Sequence, residues 1–158
     1  MSTPMGLEPF AREAMLRFCR GYLGSNDDAE DAVQEISCKV LEAGGAAPRP
    51  RAWLYAIARN HCLNALRTRA RLHVDPTSPS RLDLAADVTG HLTRLVREEN
   101  RAHLGAALAK LGESQREILR LRYVEDLSRD EIAEVLDLPI SIVKSRLFEG
   151  LEKLRAHI

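Results

Sequence analysis

The chain has 158 residues, 23 Lys and Arg against 23 Asp and Glu, 45% hydrophobic residues and only 4% aromatics. That length holds one domain of ordinary size or two small ones, and so few aromatics predict cores of Leu, Ala, Ile and Val on helices, an all-α fold. No apolar run approaches a bilayer span, and MSTPMGLEPFAREAM lacks a basic start followed by an apolar core, so the expectation is a cytoplasmic protein without direct membrane insertion.

Leu7 to Leu23 reads as a helix with Phe10, Ala14, Leu16, Phe18 and Tyr22 on a mixed apolar face, ended by Gly24-Ser25-Asn26. Asp27 or Asp28 is placed to cap a second helix that runs to about Ala43. Its inward positions are Ala29, Ala32, Val33, Ile36 and Val40, and its outward stripe is Asp31, Gln34, Glu35 and Glu42. Gly44 to Pro50 breaks the chain, and a third helix is expected from Arg51 to Arg71.

The third helix has two sides. Leu54, Tyr55, Ala58, Cys62, Ala65 and Leu66 cluster on one, while Trp53, Asn60, Asn64, Arg67 and Arg71 fall within about 60° of one another on the other. The second set suits single-stranded or partly opened DNA. An indole stacks on a base, amides hydrogen-bond base edges, and guanidinium groups hold phosphates. The plain alternative is that Trp53 packs against the first two helices and the rest is a solvated basic face.

Leu72 to Gly90, LHVDPTSPSRLDLAADVTG, has the Pro, Ser and Thr content of a flexible linker, and helical patterning resumes from Thr93 to Leu111. Ser114-Gln115-Arg116-Glu117 offers a capping box for a helix through Ile118, Leu119, Leu121 and Tyr123. A second box, Ser128 with Glu131, starts a short helix with Ile132, Val135 and Leu136 inward, and Leu127 and Ile132 are spaced as a hydrophobic staple. Asp137-Leu138-Pro139 interrupts it, with the proline suited to the first position of a new helix. That last helix carries Ile140, Val143, Leu147, Leu151 and Leu154 inward, which leaves Ser141, Ile142, Ser145 and Glu149 outward with Lys144 and Arg146 on the flanks. The pattern is a helix-turn-helix whose outer face suits a major groove, the bland alternative being the solvated side of a helical hairpin. The expected division is residues 1–71, a linker at 72–92, and residues 93–158.

Zero net charge hides an uneven distribution. Residues 46–81 hold seven bases and one acid, residues 1–45 eight acids and four bases, and residues 82–158 fourteen acids and twelve bases. Screening limits the reach of distant charges to about 8 to 10 Å, so a basic block between acidic ones still offers a local field to phosphates. Cys19, Cys38 and Cys62 are far apart and lack histidines at zinc-ligand spacing, so buried reduced thiols are expected, with no metal and no cofactor. Scattered single histidines and the lack of a nucleophile-base set or a glycine-rich phosphate loop argue against an enzyme.

DAEDAVQE (Asp28 to Glu35), WLYAIARNHCLNALR (Trp53 to Arg67), LRYVEDLSRDEIAEVL (Leu121 to Leu136) and IVKSRL (Ile142 to Leu147) together resemble the hallmark segments of extracytoplasmic-function bacterial sigma factors. The four occur in the family's order and approximate spacing. The resemblance implies a promoter-specificity subunit of RNA polymerase. In its region 2, Asp31, Gln34 and Glu35 match positions that dock on the coiled coil of the largest core polymerase subunit, and Trp53, Asn60 and Asn64 match positions at the promoter fork and melted −10 element. In its region 4, Ser141, Lys144, Ser145 and Arg146 match positions that bind the −35 element of promoter DNA while the module sits on the β flap. The resemblance further implies an anti-sigma protein as a partner.

There are two departures. The segment ISCKVLEAGGAAPRPR is short and lacks the aromatics that shape the family's pocket for a flipped base, and Asp137 stands where the family commonly has glycine, which places a non-glycine residue at a left-handed backbone position. The first departure keeps a second reading open, a sigma-like decoy that binds an anti-sigma protein and never touches DNA. A third reading, a plain repressor or activator, leaves DAEDAVQE without a role.

Overall fold

The computed structural model describes residues 9–43, 50–72 and 106–157 of a chain that divides into two compact units, residues 1–80 and 81–158. Every regular element among the described residues is helical. Of the linker expected at 72–92, Leu72 is helical and the remainder lies outside the described residues, as do the helix start at 93–105, the break at 44–49, residues 7 and 8 and the Phe10 side chain.

The first unit contains α1 (Pro9–Leu23), α2 (Asn26–Glu42) and α3 (Pro50–Leu72), and each packs on the other two. Met15, Phe18, Cys19, Tyr22 and Leu23 of α1 meet Ala29, Ala32, Val33 and Ile36 of α2 and Ala52, Tyr55, Ala58 and Cys62 of α3 in one core. The alanines of α2 and α3 let the backbones approach, and the larger side chains of α1 fill the space so created. Phe18 sits at its centre. Its ring meets Tyr22 edge-on at 5.1 Å and Tyr55 at 5.0 Å, the perpendicular arrangement that the ring quadrupoles favour.

The α1–α2 corner is tight. Gly24, at φ 76°, takes the left-handed conformation that ends α1, and its N–H donates to the Arg20 carbonyl at 2.8 Å. The cap of α2 is Ser25, not Asp27 or Asp28: its Oγ accepts from the Asp28 N–H at 3.4 Å. Both aspartates instead lie in the first turn, where their charge suits the positive end of the helix dipole. Val40, Leu54, Ala65 and Leu66, expected inside, are only half-buried, because they lie toward the ends or margins of the contact. Cys19 and Cys62 are buried and outside any disulfide, but Cys38 is exposed, since α2 turns it to the side opposite Ile36 and Val33.

The second unit begins with helical residues 106–109 and continues through α4 (Glu113–Leu119), α5 (Arg129–Leu136) and α6 (Ile140–His157). The cap of α4 is Gly112, two residues before the expected Ser114, and its N–H donates to Gln115 Oε1 at 3.3 Å. Ile118, Leu119, Arg120 and Leu121 are all buried, so around these four successive residues a single-face pattern does not describe the helix. From Arg120 to Val124 it widens into a π turn, where the Glu125 N–H reaches back five residues to the Arg120 carbonyl at 3.0 Å. The wider turn keeps Leu121, Val124 and Leu127 facing the core.

The helix-turn-helix forms as expected. Ser128 Oγ accepts from the Glu131 N–H at 3.1 Å and Glu131 Oε1 accepts from the Ser128 N–H at 2.9 Å. Leu127 and Ile132, on either side of that cap, are both fully buried. Asp137 ends α5 at φ 53°, ψ 51°, the left-handed position at which an L residue is strained and aspartate less so than most. Pro139 precedes α6 instead of opening it, its carbonyl accepting from the Val143 N–H at 3.2 Å. Val143, Leu147 and Leu154 are buried and Leu151 half-buried, whereas Ile140, expected inside, is exposed at the start of the helix. Gly150 is buried against Leu119, whose side-chain carbons stand 3.5 Å from where a Cβ would be, so α6 lies close on α4.

Candidate nucleic-acid and polymerase interfaces

Burial of Ala29, Ala32, Val33 and Ile36 fixes the rotation of α2 and leaves Asp31, Gln34 and Glu35 exposed on its far side. Spacings of three and four put these residues on one patch of helix surface. That patch is tied to α3 through His61, whose Nδ1 lies 3.6 Å from Glu35 Oε2 and 3.4 Å from Lys39 Nζ. Partial burial and the Lys39 charge lower the His61 pKa from its usual 6.5, outweighing the pull of Glu35 in the other direction. His61 therefore takes up its proton later in the folded than in the unfolded chain as pH falls. The sign of the linkage is that its contribution to stability is complete above pH 6.5 and is lost as pH falls toward the folded value. The urea midpoint of the first unit, followed by Trp53 emission, is expected to fall below pH 6.5 and to fall less in His61→Gln; an identical pH profile in that variant would remove His61 as the cause.

On α3, Asn60, Asn64, Arg67 and Arg71 are exposed in one line, and Trp53 at its head is half-buried. The partial burial of Trp53 matches neither a fully packed indole nor a fully solvated one. Arg67 Nη1 donates to Asn64 Oδ1 at 3.2 Å, which holds amide and guanidinium side by side. Arg69 does not belong to this line. It turns back across the bundle, its Nη2 on Asp28 Oδ2 at 2.8 Å and its Nη1 on the Leu23 carbonyl at 3.2 Å, and so joins the last turns of α3 to the α1–α2 corner.

On α6, Ser141, Ile142, Lys144, Ser145 and Glu149 are exposed and Arg146 is half-buried. Short polar groups, an aliphatic side chain and a carboxylate are thus framed by two cations on a helix seated by Val143, Leu147 and Gly150. Phe148, 67% exposed, extends this face and was missed in the reading of the pattern. Helical phase held the signal, because Phe148 lies two turns on from Ser141 and only about 20° away in rotation. His61 and Arg69 were missed for a different reason: their partners are distant in the chain.

Among the described residues no helix is long and apolar enough to cross a membrane, and no three His, Cys, Asp or Glu side chains gather to hold a metal ion.

Comparison with known proteins places these two units. The sigma-70 region 2 family model matches residues 11–72, and the sigma-70 region 4 model matches residues 107–156. The chain is 30% identical over 136 residues to the ECF RNA polymerase sigma factor RpoE of Cereibacter sphaeroides, covering 82% of this chain and 72% of that protein. It is 26% identical over 157 residues to the ECF RNA polymerase sigma factor SigW of Bacillus subtilis, covering 93% of this chain and 84% of the relative. The fold is shared with the sigma factor RpoE crystallised with the anti-sigma factor NepR from Bartonella quintana, at a TM-score of 0.62 and 22% identity over 93% of this chain and 91% of that one. With two family regions in order and a relative matched over most of its length, the chain belongs to the extracytoplasmic-function class of the sigma-70 family, RNA polymerase sigma factors that are not enzymes.

Proposed function

We propose that residues 1–71 and 93–158 act as separate docking modules, joined through 72–92, that bring core RNA polymerase to a promoter in the cytoplasm. Asp31, Gln34 and Glu35 engage the coiled coil of the largest polymerase subunit. Trp53, Asn60, Asn64, Arg67 and Arg71 engage the −10 region as it opens, and Ser141, Ile142, Lys144, Ser145, Arg146 and Glu149 read the −35 element while the second unit rests on the β flap. The observation that carries this reading is that all three faces are exposed, apart from the half-buried Trp53 and Arg146, although each helix has a well-buried opposite side. Tethering then raises the effective concentration of the second DNA site once the first is bound, so two weak contacts act as one.

An anti-sigma protein is a further partner on this reading, supported by the like-folded sigma factor that was crystallised with one. Mixing the purified chain with core polymerase and a pool of genomic promoter fragments is expected to yield transcripts with defined starts. Their absence, with the chain bound to core or to an anti-sigma protein, would overturn promoter recognition and leave a decoy.

A further inference from the structure

The outer face of α6 carries a carboxylate where a surface approaching DNA ordinarily avoids one. Glu149 is exposed and is bound to no described side chain. Its neighbours are arranged to leave it so. Lys153, one turn on and at the spacing from which a helix supplies a cation to a glutamate, turns instead to Gln115 Oε1 at 3.4 Å. Glu152, the next acid along, is held by Arg155 at 3.2 Å.

Ile142, Ser145 and Glu149 are spaced three and four apart, so they lie in one line up the helix, all exposed. From Ile142 to Glu149 the line rises about 10.5 Å at about 1.5 Å per residue. Base pairs stacked about 3.4 Å apart cover the same distance in about three steps. The line therefore spreads an aliphatic group, a hydroxyl and a carboxylate over a run of about four base pairs, with Lys144 to one side and Arg146 to the other. In a major groove the carboxylate can only accept. Cytosine N4 is the amino donor that a Glu or Asp reads there, while guanine offers two acceptors that repel it. Near a polyanion an unpaired carboxylate weakens binding to every sequence, and a donor on one base edge offsets that loss for one sequence only. Such a residue acts by discrimination.

We infer that Glu149 is a specificity-determining residue that selects a cytosine in the −35 element, at the end of the contact opposite an A·T pair whose thymine methyl meets Ile142. The inference rests on the assignment of α6 as the −35 reader.

The test retains promoter fragments randomised across the −35 region on the holoenzyme and sequences them, for the wild-type chain, Glu149→Gln and Glu149→Ala. Wild type is expected to show one column favouring cytosine. Glutamine, which reads adenine N6 and N7, is expected to move that column from cytosine to adenine by about tenfold, and alanine to flatten it, with the other columns unchanged. A −35 preference in wild type whose columns all stay fixed in both variants would overturn the role of Glu149. So would an alanine variant that binds every sequence more tightly without altering any preference. A wild-type selection with no −35 preference at all would instead remove α6 as the reader, and this inference with it.

Discussion

Reversing the two cations that frame the outer face of α6, Lys144→Glu with Arg146→Glu, is expected to lower transcription from a −35-dependent promoter by about 100-fold while leaving the helix folded. Phosphate contacts supply most of the affinity of a DNA-binding surface, and each lost cation also removes about one unit of salt dependence. Lys144 is exposed and Arg146 half-buried, and neither makes a described ion pair, so the change falls on the partner and not on the core. The measurement is promoter binding by the holoenzyme across a salt series. Equal slopes for wild type and variant would exclude Lys144 and Arg146 as phosphate contacts.

Truncating Phe18 has the largest expected effect on stability. The side chain is fully buried and meets both Tyr22 and Tyr55, so Phe18→Ala removes a ring and leaves a cavity at the junction of α1 and α3. Such changes cost about 3 to 5 kcal/mol, which is comparable to the whole stability of a unit this small. The chain's single tryptophan lies on α3, so Trp53 emission reports this unit by itself in a urea titration. The variant is expected to be largely unfolded before denaturant is added. A midpoint equal to wild type would mean that the surrounding side chains collapse onto the space.

Elements whose information lies within a few residues were legible in the sequence. The Ser128–Glu131 box is complete at both hydrogen bonds, and the outward residues of α2 and α6 follow from the period of their buried partners. The left-handed Asp137 was expected from the resemblance, which commonly has glycine at that position, whereas Asp126, at φ 55°, was not expected. Caps failed where several residues compete. Ser25, Asp27 and Asp28 are all good caps in isolation, and the choice among them is made by where Gly24 ends the preceding helix. The π turn at Arg120–Val124 was invisible because four successive buried residues, Ile118 to Leu121, leave no single apolar stripe there whose phase could slip. For the candidate site, the residues of each face were readable, whereas the Glu35–His61–Lys39 cluster and the Arg69 clamp depend on which helices meet.

The Arg69 clamp also sets how the basic stripe behaves as an object. Ala52 and Tyr55 anchor the first turns of α3 in the core, and Arg69 ties its final turns to Asp28 and the Leu23 carbonyl, so the helix is fastened near both ends. Between Trp53 and Arg71 it runs without a break for about 27 Å. On the proposed reading it is a rigid ruler: a strand laid along it would have to adjust its own spacing to the marks, so the work of fitting would fall on the nucleic acid, whose sequence would then decide how easily it yields.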